Sequence, residues 1–231
     1  MDGLVSSRIL DEILEHSEGT AHIKDSSTKK YIRSNTENLK VYNLKQEKDI
    51  IGSTIHDLGD LMQSNWDKEF IDTVDKLDHK VVKTKQVYSD DGRLFLNKSG
   101  ILHMQYMTKY PIVNSNNIVT SILTISKNAI YKLSLINLYE SYLSFFNGNT
   151  KLSIPNFLKH TGVNEHFEEY PTDAEIRVLI AKKIFPTHKH IANSLNRSVK
   201  TIDIHLFNLN TKIKSLDLTQ IVAKMENSNL I

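Results

Sequence analysis

Hydrophobic and polar positions change period twice along the chain. TAHIKD (Thr20–Asp25) and KKYIRSN (Lys29–Asn35) flank a polar turn and predict a hairpin. TENLKVYNL predicts a short helix, and Gly52 interrupts KDIIGSTIHDL. From Trp66 to Thr84 the period becomes helical, with Phe70, Val74, Leu77 and Val81 in one apolar stripe. Strand patterns return in QVYSDDGRLFLNKS, which holds an Asp-Gly turn signal, and in GILHMQYMTKYPIV and NIVTSILTIS, which flank the turn NSNN. With the amphipathic start MDGLVSSRILDEILEHSEG, these elements predict an α+β domain over residues 1–126, built on an antiparallel sheet.

Asn128–Phe146 is rich in apolar residues over about five turns. Its apolar surface is wider than a solvated connector needs, so it should pack on either domain or on its copy in another chain. NGNT breaks it, and from there to Tyr170 the chain, punctuated by Pro155 and Gly162, reads as irregular. Residues 127–170 are therefore expected to form a helical and irregular linker.

After Pro171 the pattern predicts four helices. Thr172 and Glu175 form a capping box for the first, whose inner face holds Ile176, Leu179, Ile180 and Ile184. Thr187 caps a short second helix, HKHIANSL, and Leu195-Asn196-Arg197 turns tightly into a third. Asp217 opens a fourth with Leu218, Ile221, Val222 and Met225 in an apolar stripe available for dimerisation. A short helix, a three-residue turn and a longer helix make a helix-turn-helix arrangement.

The third helix poses the main question. Val199, Ile202, Leu206, Leu209 and Ile213 form its core stripe, yet the opposite side carries Lys200, Ile204, Phe207 and Thr211, flanked by Asp203 and Asn208. An Ile–Phe pair on an outward face has two readings. Either it reads DNA, touching thymine methyls while Asp203 accepts from a cytosine amino group, or it buries against the N-terminal domain or a partner protein. Thr187, Lys189, Lys200, Thr201 and Lys212 are donors suited to phosphate oxygens.

Composition narrows the classes. The chain has 231 residues, 39% hydrophobic and 24% charged, which suits two globular domains. No apolar run reaches about 18 residues, so no membrane span is expected, and the acidic start is no secretory signal. Cysteine is absent, which excludes disulfides, thiolate metal sites and cysteine nucleophiles and fits a cytoplasmic setting. Residues 151–231 hold 11 Lys+Arg against 8 Asp+Glu, or +3, and the first 150 carry −1. That mild basicity is compatible with nucleic acid and equally with an ordinary solvated surface.

Pro171–Ile231 resembles the LuxR-type, or GerE-like, DNA-binding domain of bacterial transcription regulators. The resemblance rests on Thr172, Glu175, Val178-Leu179, Thr187, Lys189, Ile191-Ala192, Leu195, Ser198, Thr201-Ile202, His205, Asn208, Lys212-Ile213, Gln220 and the closing Asn229-Leu230-Ile231. It implies an all-α four-helix domain over 171–231 that binds double-stranded DNA through Thr187, Lys189, Lys200, Thr201, Asp203, Ile204, Phe207, Asn208 and Lys212, as part of a homodimer. Departures are Asp203 where many relatives place lysine, Phe185 for a usual glycine, His190 for an acidic residue and Leu218 for arginine. The first domain, from Ser17 to Ser126, resembles a PAS sensor in its order of elements, which implies signal sensing or dimerisation and a pocket between sheet and helices for a small-molecule ligand.

No metal or cofactor is expected. His79, near where haem-binding relatives of the PAS type carry a ligand, also reads as a solvated helix-end histidine. Asp25, His56, Asp57 and Asp60 are close in sequence, but nothing fixes them as an acid–base pair, and such carboxylates sit at turns and caps. The resulting expectation is a bacterial, sequence-specific DNA-binding transcription regulator and not an enzyme. An adaptor that binds protein through the same helical fold is the alternative.

Overall fold

The computed structural model describes residues 2–225; Asn229, Leu230 and Ile231, which entered the resemblance, lie outside the described residues. The chain divides into two compact units, Met1–Ala129 and Ile130–Ile231.

The first unit runs α1 (Asp2–His16), β1 (Ala21–Asp25), β2 (Tyr31–Ser34), α2 (Thr36–Val41), α3 (Ile55–Met62), α4 (Lys68–Thr84), β3 (Tyr88–Leu96), β4 (Leu102–Val113) and β5 (Val119–Asn128). The sheet is antiparallel with order β2-β1-β5-β4-β3. Successive strand residues face opposite sides, so β1 divides its side chains between two layers. Ala21 and Ile23, with Leu123 of β5, pack under Leu14 of α1. His22 and Lys24 face the other way, toward α2–α4. The apolar part of that second layer is Tyr31, Leu39, Tyr42, Ile55, Leu58, Met62, Trp66, Val74 and Phe95. Asn35, Thr54 and Asp67 cap α2, α3 and α4 through side-chain oxygens that accept backbone N–H groups.

The Asp-Gly dipeptide predicted as a turn is instead inside β3. Opposite β4, Asp90 pairs with Met107 but Arg93 pairs with Gln105, so one extra residue is accommodated as a bulge. Gly92, at φ +86°, supplies the left-handed conformation there. The bulge reverses the alternation, which turns Arg93 and Phe95 to the helix-covered side. The same turn chemistry that ends a strand elsewhere here re-aims one.

The second unit begins earlier than predicted. Residues 130–170 are not a linker outside the core: α5 (Leu135–Phe145) and α6 (Thr150–His160) pack on each other and on α7 (Asp173–Ile184). Leu138, Tyr139, Tyr142, Ile154, Phe157 and Leu158 are buried there. Pro155 lies inside α6 and does not break it. Its missing N–H costs one helical hydrogen bond, and burial of Ile154, Phe157 and Leu158 outweighs that loss. Tyr139 donates to Asp173 at 2.9 Å, and Arg177 bridges Asp173 and Glu140, joining α5 to α7. Then follow α8 (His188–Ser194), α9 (Val199–Thr211) and α10 (Leu218–Lys224). The predicted caps Thr172 and Thr187 are in place, and Ser198 and Asp217 cap α9 and α10. Among the described residues, no helix is long and apolar enough to cross a membrane.

Gly19 marks a close approach of two backbones in the first unit. A Cβ there would stand 1.8 Å from the Ser126 carbonyl oxygen. Gly19→Ala is therefore expected to lower stability by more than about 1 kcal/mol in urea denaturation; an unchanged midpoint would contradict that packing.

Candidate nucleic-acid interface and ligand cavity

In α9 the inner stripe is sealed. Ile202, Leu206 and Leu209 are buried against α7 and α8, where Ile191 and the small Ala192 allow a close crossing. Val199 and Ile184, both predicted inward, are exposed at their helix ends. The outward side carries Lys200, with Ile204 at 51% and Phe207 at 68% exposure. Such exposure of two large apolar side chains one turn apart is not explained by the unit's own packing.

The nine predicted contact residues do not share one role. Lys189, Lys200, Ile204 and Phe207 are exposed. Thr187 caps α8, and its hydroxyl lies 3.0 Å from the His190 ring. Thr201, half-buried, lies 2.8 Å from the Ser198 hydroxyl. Asp203 pairs with His188 at 2.6 Å, tying the start of α8 to α9. Asn208 is half-buried. Lys212 is turned inward, with Nζ 2.9 Å from the Glu175 carboxylate and 3.5 Å from the Tyr170 carbonyl. Glu175 also accepts the Thr172 N–H. Burial raises its pKa, but that backbone bond and Lys212 together hold it below the usual carboxylate range. Lys212 is thus a structural cation rather than a free phosphate donor.

The predicted dimerisation stripe is corrected as well. Leu218, Ile221 and Met225 are buried, and α10 packs on α7 of its own unit. Only Val222 of the four is half-exposed. A short terminal helix spends its apolar face on the core that holds it.

The first unit contains a cavity of about 60 Å³ between the sheet and α2–α4. Its walls are Tyr31, Tyr42, Trp66, Phe70, Val74 and Phe95, and its floor is polar: His22, Gln105, Lys109, Thr124 and Ser126. Beside it, the Asp78 carboxylate of α4 receives Lys24 Nζ at 2.8 Å and Lys109 Nζ at 2.5 Å, all three fully buried. Burial opposes ionisation of Asp78, yet the two ammonium groups hold it well below the usual range. Burial pushes Lys109 down to about 8 despite Asp78. His22 is held well below its ordinary value by burial and then by the two lysines, so its imidazole is neutral.

These residues were not singled out from sequence, although signals existed. Asp78 falls between Val74 and Val81 on the core side of the long helix, and Gln105, Met107 and Lys109 alternate along one strand face. A charge on a core stripe marks a buried partner elsewhere.

The haem-ligand position weighed for His79 is not formed. His79 is exposed on α4, with Nδ1 3.0 Å from the Asp75 carbonyl, and does not line the cavity. A space of about 60 Å³ does not admit a macrocycle. Two of the carboxylates weighed for acid–base chemistry serve as local anchors. Asp25 accepts the Thr28 N–H, the Ser27 and Thr28 hydroxyls and the Ser27 N–H, which together hold it down to about 2, and Asp57 closes the α3 capping box. Among the described residues no group of three or more His, Asp or Glu is arranged to hold a metal.

An antiparallel sheet unit with a cavity under its helices is followed by an all-helical unit that contains a helix-turn-helix. No family model matches the chain, and no curated protein matches it either. Solved structures with similar folds include the Vibrio cholerae VqmA–ligand–DNA complex, with TM-score 0.45 and 15% identity over 94% of this chain and 85% of that one. A phage VqmA–DPO complex gives 0.42 and 16% over 95% and 86%. The PAS domain of Bordetella pertussis BvgS gives 0.45 and 14% over 56% and 88%. At these TM-scores the likeness carries no functional argument, which rests on the chain's own residues.

The different roles of two lysines are measurable. Lys212→Met should lower stability by about 1–3 kcal/mol, because it leaves the buried Glu175 carboxylate without its cation, whereas Lys200→Met should stay within about 0.5 kcal/mol of the parent. Equal effects in chemical denaturation would contradict the assignment.

Proposed function

We propose that the chain is a cytoplasmic bacterial transcription regulator that binds double-stranded DNA through α9 and carries a PAS-like input domain whose cavity takes a small molecule. The observation that carries the reading is the outward face of α9. Its inner stripe is buried, its helix-turn-helix neighbour α8 supports it, and Lys200, Ile204 and Phe207 stand uncovered. A helix presented this way fits the major groove, where Ile204 and Phe207 would contact thymine methyl groups. Lys189 and Lys200 would hold phosphates, joined by the N-terminal backbone of α9. Asp203 is held by the His188 ring at 2.6 Å, at the flank of this face.

Two copies are part of the proposal, because a homodimer offers two α9 helices to two half-sites and gains DNA contact that a single helix lacks. The pairing surface would lie away from the buried stripe of α10. Input and output are separate units in this reading, with occupancy of the cavity setting how the two α9 helices are presented.

An adaptor function is the second reading, favoured by the apolar character of the Ile204–Phe207 pair. Genome-wide capture of DNA with the purified chain, followed by band-shift titration of the recovered sites, separates the two. Phe207→Ala is expected to weaken specific binding by about 1–3 kcal/mol and relax base preference. Lys200→Ala should weaken binding to all sequences alike. Full retention of binding by both variants would remove α9 from the DNA interface, and low affinity for every recovered duplex together with a stable hetero-complex would favour the adaptor.

A further inference from the structure

The cavity floor holds more positive charge and more unpaired hydrogen-bonding capacity than a structural core requires. Lys24 and Lys109 share one carboxylate, Asp78, so the buried group carries an excess cation. Arg93, also at the cavity, is already paired with Asp90 at 2.5 Å and adds no compensation. Lys109, 1% exposed, bonds Asp78 at 2.5 Å and Thr124 at 3.4 Å, leaving one of its three N–H groups without a protein partner. His22, 8% exposed, lines the same space, and neither ring nitrogen has a hydrogen-bond partner. Asn38 gives an amide N–H to Ser34 and lies near enough to the His22 ring to oppose, weakly, the lowering of its pKa, without making a bond of full geometry to either ring nitrogen. Buried polar groups are ordinarily satisfied, and a buried charge is ordinarily balanced. Above this floor, Trp66, Phe70 and Phe95 present aromatic surface.

We propose that the cavity takes a short monocarboxylate, or a small anion of like shape, with its charged end on Lys109 and His22 and its apolar end among Trp66, Phe70 and Phe95. This rests on the reading of the cavity as a ligand site and names the chemical class of that ligand. One carboxylate would balance the excess cation. It would also accept the free Lys109 N–H and a His22 N–H in bonds stronger than neutral ones. A cavity of about 60 Å³ limits the body to a few carbon atoms. A neutral amide of the same shape fits as well but leaves the charge uncompensated.

The test compares acetate and propionate with acetamide and propionamide by calorimetry on the 231-residue chain at fixed ionic strength. The carboxylates should bind at least tenfold more tightly than the amides. Besides Asp78, the charged or titratable groups around Lys109 include Lys24, Arg93 and His22, with the phenols Tyr31 and Tyr42, whose pKa values burial raises, on the same cavity. An anion beside Lys109, whose pKa lies at about 8, raises it, so binding at pH 8 should take up protons and its enthalpy should follow the ionisation enthalpy of the buffer. Lys109→Met leaves Lys24 and Asp78 as a neutral pair and should keep the fold while losing at least tenfold in carboxylate affinity. His22→Leu should lose severalfold and serves if the first variant does not fold. Amides that bind as tightly as carboxylates would overturn the anion assignment while leaving the cavity a ligand site. Binding of none of the four probes, or carboxylate binding without proton uptake at pH 8, would overturn the proposal. DNA binding, read by band shift without these probes, is decided independently.

Discussion

Everything proposed for the second unit depends on which side of α9 is buried. Ile202, Leu206 and Leu209 enter the space between α7 and α8, and Ala192 lets the helices cross closely. Truncating one such leucine to alanine costs about 2–5 kcal/mol in a typical core, a large part of a domain's net stability. That packing fixes the rotation of α9 about its axis, so Lys200, Ile204 and Phe207 face outward by necessity. The Glu175–Lys212 pair sets the far end, linking the start of α7 to the end of α9. Function, if it resides on α9, is delivered by a core that does not itself touch DNA.

The first unit solves a different problem. Its sheet is apolar on the side under α1 and polar on the side under α2–α4, where a core would normally be dry. Asp78 makes this possible, because two buried ammonium groups without a carboxylate would repel each other and lack their hydration. A buried ion group is weak evidence of stability gain, since desolvation consumes most of the Coulomb attraction. It lies on a sheet face that borders a cavity, and the ligand proposal rests on that placement. The bulge at Gly92 belongs to the same design, since it turns Arg93 and Phe95 toward that face.

Much of this architecture was legible in the sequence. Caps at Thr172, Thr187, Ser198 and Asp217 are local hydrogen-bond devices and can be read from a few residues. The α4 stripe and the outward Ile204–Phe207 pair follow from helical period alone. What escaped depends on distant partners. Pro155 looked like a helix breaker because the burial that offsets it comes from α5 and α7. Leu218, Ile221 and Met225 looked free because their partner, α7, lies more than thirty residues upstream. Lys212 looked like a phosphate donor until Glu175 was placed beside it, and Asp78 passed as one more helix carboxylate without the two strands that bring its lysines.

The salt dependence of duplex binding tests the central claim most directly. If α9 lies in a groove with Lys189 and Lys200 on phosphates, each copy displaces condensed counterions, and a dimer with about four such contacts should show a log–log slope of roughly −3 to −4. The account predicts a linear fall of that order as salt rises. An affinity that stays flat across the same range would mean that α9 meets no phosphate backbone, and the DNA reading would be wrong.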